Sequence, residues 1–302
     1  LGELVELKRN YYYSEKEGTS VKEIEEKEIE ILSGIIEEGL RDIELRMKPL
    51  ARVQQQLGRV QTAISLSKEE ERRRAERERL VEEKERLEKT LASIEEAKER
   101  FFWEIDFPEV FADGGFDIVI GNPPYVRQEL IAPANLPPAK QTREVRREYK
   151  TDVARSVEVH WGDEFHRDMM SDFYIYFFYH GLNLLKLGGT FCFVTSNSWL
   201  DIRFGLRFQE FLLKNIQIKT IYDNLKKRTF AESDINTVIS LFKRPRHIRT
   251  LLNNVVKFVA FKRPYEEVLN QNTILSIYNC VELDIKLAYR CFPITQKELW
   301  ER

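Results

Sequence analysis

Residues 101–129 read FFWEIDFPEVFADGGFDIVIGNPPYVRQE, and this stretch decides the fold. Within it, residues 116–120 are a short apolar run enclosed by Gly114 and Gly115 on one side and by Gly121, Asn122 and Pro123 on the other. A run of that length between turn residues reads as a buried strand. Downstream, residues 172–187 read as a helix, Gly188 and Gly189 as the turn that caps it, and residues 190–195 as a second strand. Residues 218–222 and 236–243 are further strand candidates. Strand, helix, turn and strand in succession is the rhythm of an α/β sheet.

Upstream the composition is different. The chain has 302 residues, 42% hydrophobic and 32% charged, with 48 basic and 50 acidic side chains and a formal charge of -2. That is ample for a core, and it excludes a disordered tail or a collagen-like fibre. Residues 67–100 hold 11 basic and 12 acidic side chains, while Leu80, Leu87, Leu91 and Ile94 mark one seam of a helix. Val53, Leu57, Val60 and Ile64 repeat the spacing, and Ser20 with Glu23 and Ser67 with Glu70 read as capping boxes. These signals predict a long, coiled-coil-like helical hairpin over 1–100, turning near residues 65–67 and kinked at Pro49. Its plain role is a solvated brace. The triplets Glu6-Leu7-Lys8 and Glu25-Glu26-Lys27 lack an acidic partner on a preceding strand and are expected in any Glu/Lys-rich helix.

Cys192, Cys280 and Cys291 are too few and too scattered for a disulfide framework, and none is spaced for zinc, so no metal and a reducing, cytoplasmic setting are expected. The most apolar stretch, 173–194, is interrupted by His180, Asn183, Lys186, Gly188 and Gly189, so no membrane span is expected. The N-terminus has no apolar leader and no initiator Met, which reads as a fragment of something longer. Residues 214–263 carry 12 basic and 3 acidic side chains, the footprint of a phosphate-backbone partner. The polar insertion between Val126 and Met170 reads as a binding loop.

The chemistry concentrates in Asn122-Pro123-Pro124-Tyr125. Two prolines fix φ and remove two backbone donors, so the loop is stiff and offers carbonyl oxygens without competing N–H groups. Asn122 adds a further acceptor and Tyr125 a stacking face. Such a loop suits a planar ring bearing an exocyclic amine. Two acceptors draw the N–H hydrogens out of conjugation and free the nitrogen lone pair to attack an electrophilic methyl group.

Residues 101–129 resemble the adenine-methylation motif and its flanks in the Eco57I-like family of N6-adenine DNA methyltransferases, found as type IIG restriction–modification enzymes and relatives. SDFYIYFFYHGLNLLKLGGTFCFVTSNSWL (171–200), RFGLRFQEFLLKN (203–215) and RTFAESDINTVISLFKRP (228–245) resemble the family's next segments in the same order. The resemblance covers about residues 101–245, and the helical 1–100 region resembles the charged insertion that precedes the adenine motif. It implies a partial Rossmann-like methyltransferase sheet over 101–245, with 246–302 a connector toward a target-recognition region. It also implies S-adenosylmethionine as cofactor, double-stranded DNA as partner, and methylation of a flipped adenine in restriction–modification. Carried over by residue, Asn122 and the Pro123 carbonyl hold the amine and Tyr125 stacks on the base, these three being the catalytic set. Phe230 lines the far side of the base pocket, and Pro124 and Phe177 touch the cofactor. Asp172 has the plainer reading of a helix N-cap.

Departures from the family matter too. No segment supplies the glycine-rich, acidic first motif that cradles the cofactor, so the cofactor site is expected to be incomplete and this chain inactive alone. An exposed sheet edge or the helical arms would then favour self-association. The same tetrapeptide occurs in enzymes acting on RNA bases or protein glutamine, and a non-enzymatic coiled-coil scaffold with a degenerate methyltransferase part is the reading from another class. A cytosine C5 enzyme is disfavoured, because Cys192 sits in an apolar strand rather than beside a proline.

Overall fold

Charged side chains three and four apart, with an apolar stripe between them, favour helix in the first unit of the chain. This computed structural model describes residues 1–13, 20–57, 68–94, 101–201, 203, 205–225 and 236–301. Helix α1 spans Gly2–Tyr13, α2 Val21–Leu57 and α3 Lys68–Ala92. The α2 start is a capping box: the Ser20 N–H donates to Glu23 at 2.7 Å and the Glu23 N–H to the Ser20 hydroxyl at 3.2 Å. The α2 helix continues through Pro49. Helices α2 and α3 run antiparallel, since Lys84 meets Glu44 at 2.8 Å while Leu87 lies against Gly39. Ile43 and Leu80 are buried. Ser67 and the side chains of Val53, Leu57, Val60 and Ile64, with the expected turn, lie outside the described residues and side chains.

The chain divides into two compact units, Leu1–Asp113 and Gly114–Arg302. Residues 101–113 thus belong with the helices: Ile105 is buried with Leu4, Ile24 and Leu32. Lys8, buried and paired with Glu28 at 2.8 Å, donates to the carbonyls of Ile105 and Asp106.

In the second unit, Gly115 has φ +115°, and a Cβ there would meet the Leu184 carbonyl oxygen at 2.6 Å. Only glycine admits this approach, which starts β1 (Phe116–Gly121) beside β2 (Leu185–Ser196). The two strands are parallel and therefore need a crossover. It is made by α4 (Arg143–Trp161) and α5 (Phe173–Asn183). Strand β2 begins before the glycines, so Gly188 and Gly189 form an irregularity within the strand, bonded to Arg244 on both sides, and not the helix cap that the sequence suggests. After α6 (Gly205–Asn215) come β3 (Gln217–Asn224) and β4 (Thr237–Lys243), and β4 runs antiparallel to both β2 and β3.

Residues 246–302 extend the sheet. They carry β5 (Val255–Phe261), α7 (Gln271–Tyr278), β6 (Asp284–Ile285) and β7 (Tyr289–Thr295), giving a seven-stranded mixed sheet in the order β1-β2-β4-β3-β5-β7-β6. A buried amide network ties this extension down. The β3 register shifts between Ile218 and Thr220, and the Ile218 N–H donates to Gln296 at 3.1 Å while its carbonyl accepts from Asn254 at 2.6 Å. Gln296 also donates to the carbonyls of Leu213 and Ile216, closing the end of α6. Among the described residues no helix is long and apolar enough to cross a membrane.

Helices α5 and α6 cover one face of the sheet through an aromatic core. Phe178 is fully buried at its centre, with ring centroids 5.4 Å from both Phe191 and Phe193, 4.9 Å from Phe208 and 5.9 Å from Phe242. Phe178→Ala should therefore destabilise the protein by about 3–5 kcal/mol, the usual cost of a large-to-small change in a packed core. Denaturant unfolding monitored by tryptophan fluorescence checks this, and a loss below about 1 kcal/mol would mean that the core lies elsewhere.

Candidate functional site

Strand β1 ends at Gly121, which pairs with Phe193 of β2, and a Cβ there would stand 3.0 Å from the Phe193 ring. The strand end is thereby held close to β2. The next four residues leave regular structure: Asn122 is exposed, Pro123 buried, Pro124 exposed and Tyr125 half-buried. Having no N–H at 123 and 124, the loop is tied by its neighbours. The Tyr125 hydroxyl donates to the Val194 carbonyl of β2 at 3.1 Å. Burial pushes this phenol up to about 12, so it stays a neutral donor through the physiological range. The Val126 carbonyl accepts from the N–H of Phe173, the first residue of α5, at 3.0 Å.

Asp172 has the backbone of an N-cap, with φ -67° and ψ 158°, yet its side chain makes no bond to its own helix. Instead Oδ1 accepts the Gln128 N–H at 2.9 Å. Burial raises this carboxyl above its ordinary range, and the Gln128 N–H opposes that rise. From α4, Lys150 donates to the Gln128 carbonyl and side-chain oxygen, each at 3.1 Å, and to the Met169 carbonyl, while Arg146 donates to the Glu129 carbonyl at 2.8 Å.

A cleft of about 680 Å³ opens here, lined by Arg127, Gln128 and Glu129 after β1, Asp168, Met170 and Asp172 before α5, and Ser198 and Arg203 after β2. Ligand crevices in open α/β sheets lie at such carboxyl strand ends. Arg127 and Arg203 are exposed, so two guanidinium groups and three carboxylates share one opening. Phe177 sits one turn into α5, half-buried, with its ring edge-on to Phe173 at 5.1 Å. Phe230 lies outside the described residues. The structure thus gathers Asn122, Pro123, Pro124 and Tyr125 on one loop and anchors that loop to the helix that carries Phe177. Among the described residues no group of three or more His, Cys, Asp or Glu is placed to hold a metal, and the three cysteines are free.

Sequence reasoning missed Gln128, Lys150, Ser198 and Arg203. Of these only Lys150 left a signal: it shares a buried stripe with Ala154 and Val157, at a position where an apolar residue would be expected.

Comparison with known proteins places these residues in context. The family described as Eco57I restriction-modification methylase matches residues 42–230, more than half of the chain and including the loop. The type II methyltransferase M.BstVI of Geobacillus stearothermophilus is 29% identical over 140 residues, 46% of this chain and 20% of its own length. The type II methyltransferase M.PaeR7I of Pseudomonas aeruginosa is 30% identical over 137 residues, 45% of this chain and 20% of its own length. The match thus spans about one fifth of these curated relatives. Among solved structures, the type IIG restriction endonuclease BpuSI is similar with a TM-score of 0.45 and 16% identity, over 62% of this chain and 20% of that one.

The Asp172 geometry has a measurable consequence. Asp172→Asn keeps an acceptor for the Gln128 N–H and removes the penalty of a half-buried charge, so stability at neutral pH should be equal or higher. Asp172→Ala strands that N–H and should cost about 1–2 kcal/mol. Because the folded carboxyl titrates above its unfolded value of 3.8, the Asn variant's advantage is full above the folded pKa and vanishes as pH falls through it toward 3.8. Thermal melts of the three proteins across pH check both signs.

Proposed function

Because the chain belongs to the Eco57I restriction-modification methylase family, we propose that it carries the amine-binding half of a site-specific adenine DNA methyltransferase that uses S-adenosylmethionine and works in the cytoplasm. The observation that carries this reading is the loop at the carboxyl end of β1, stripped of two backbone donors and tied to β2 and α5. Asn122 and the Pro123 carbonyl accept the two N–H hydrogens of the adenine amine. The hydrogens are drawn out of the ring plane, and the lone pair points away from the loop. Tyr125 stacks on the base, with its hydroxyl anchored on Val194 so that the ring keeps one orientation, and Phe230 closes the far side.

Of a site for S-adenosylmethionine this chain supplies one side: the cleft offers carboxylates and guanidinium groups to a zwitterionic end, and beside it Pro124 is exposed and Phe177 half-buried. When bound the cofactor supplies the electrophilic methyl group. Transfer would form the C–N bond and break the donor's methyl–sulfur bond, leaving the electron pair on a neutral thioether, and the proton lost by the amine would pass to water beside exposed Asn122. The basic excess of residues 214–263 suits a phosphate backbone and favours a nucleic acid over protein as substrate, and the lead-in WEIDFPEVF at 103–111, within the family match, favours duplex DNA.

In a protein carrying this chain, Asn122→Ala should lower methyl transfer by at least a thousandfold and leave DNA affinity within about threefold, because the phosphate contacts lie elsewhere. Tyr125→Ala should weaken capture of the base by about 1–3 kcal/mol. Transfer of labelled methyl groups to duplex DNA, to RNA and to protein, measured beside DNA binding, decides. Wild-type turnover in the Asn122 variant would refute the assignment.

Self-association belongs to the same proposal. Strand β1 is terminal in the sheet, and its Ile118 and Ile120 are 64% and 75% exposed. Sedimentation over a range of concentrations should show a dimer that Ile118→Lys with Ile120→Lys abolishes.

A further inference from the structure

Helix α4 presents Lys150, Ala154 and Val157 on its buried face. A lysine at the head of an apolar stripe is costly, since its ammonium loses water there and nothing in the stripe replaces it. Burial accordingly lowers its proton affinity. Among the described residues this ammonium has no carboxylate partner at ion-pair distance. All three of its hydrogens go to oxygens: the Gln128 carbonyl, the Gln128 side chain and the Met169 carbonyl. Glu129, Asp168 and Asp172 act on it only at longer range. An ion pair for stability alone would have placed one of these carboxylates in contact.

The two segments that Lys150 joins are the ones that flank the candidate site. Gln128 lies three residues beyond Tyr125, and Met169 three residues before Asp172, the residue that holds the Gln128 N–H. Gln128 is therefore gripped on its N–H, its carbonyl and its side chain at once. We propose that Lys150 is a positioning residue for methyl transfer: with Asp172 it clamps Gln128 and so fixes where the Asn122 amide and Pro123 carbonyl stand relative to the methyl donor. This inference rests on the reading of the loop as the amine-binding element. The need for a clamp follows from the loop's own chemistry, because two consecutive prolines leave it no N–H through which β2 could extend the ladder. A displacement of about 1 Å between reacting atoms is enough to cost about a hundredfold in rate.

The test uses Lys150→Met, which keeps the length and removes the three donors. On the 302-residue chain, amide hydrogen exchange over residues 126–130 should quicken at least tenfold, with exchange in β3, β4 and β5 unchanged. In a protein carrying this chain, kcat for transfer to duplex DNA should fall about ten- to a hundredfold, while KM for DNA and for S-adenosylmethionine stays within about threefold. A variant with unchanged exchange and unchanged kcat overturns the proposal. So does a raised KM at constant kcat, which would make Lys150 a binding group. If Lys150→Met does not fold, Gln128→Ala removes one of the three acceptors from the other side, and it must reproduce a weaker form of the same kcat loss for the clamp to stand. Quickened exchange in a protein whose wild type methylates no nucleic acid would uphold the clamp and defeat the functional reading, so the two failures are distinguishable.

Discussion

A loop with two consecutive prolines cannot hold itself in place, because the backbone donors that would bind it to a neighbouring strand are missing. Its position has to come from groups around it, and three elements each contribute. Strand β2 accepts the Tyr125 hydroxyl, α5 donates the Phe173 N–H to Val126, and α4 reaches in with Lys150. Each tie is worth only about 0.5–1.5 kcal/mol net, so rigidity depends on the three elements being fixed to one another. The aromatic core does this. Phe178 on α5 meets Phe191 and Phe193 on β2, and Trp161 on α4 donates its indole N–H to the Tyr179 carbonyl of α5 at 3.0 Å.

The parts of this arrangement that were legible in the sequence are the local ones. An apolar run between glycines made β1 readable, and the prolines after it defined the loop without any tertiary information. Where a second segment decided the outcome, sequence reasoning went astray. Gly188 and Gly189 look like a helix cap until Arg244, the residue after β4, is seen to bond both of them. Asp172 does stand at the N-cap of α5, as its sequence position suggests, but only the fold shows that its carboxylate serves Gln128, 44 residues earlier. Residues 246–302 have strands whose pairing depends on a register shift in β3 and on Asn254 and Gln296, none of which alters local hydrophobic periodicity.

The two faces of the sheet are finished differently. On one, α5 and α6 bury Val119, Phe191, Phe193 and Phe242 to varying degrees. On the other, a smaller cluster of Val259, Phe261, Ile277, Tyr289 and Cys291 forms under α7. That cover serves β5 and β7, whereas Ile118 and Ile120 at the β1 end remain exposed.

A strand designed to turn one face to water would alternate apolar and polar residues. The sequence of β1, Phe-Asp-Ile-Val-Ile-Gly, alternates only at its start, where Asp117 pairs with Lys186 at 2.5 Å. From Ile118 onward it is apolar on both sides, the pattern of a strand covered on two faces. Terminal strands are commonly protected by lysines, prolines or bulges that discourage further pairing. Toward the loop β1 has none of these, and two isoleucines occupy the outward positions. Burying them would remove apolar surface from water at about 25 cal/mol per Å². The same end of the strand carries the loop, so whatever covers Ile118 and Ile120 also stiffens the base on which Asn122 stands, and coverage of the sheet and precision of the site are physically coupled.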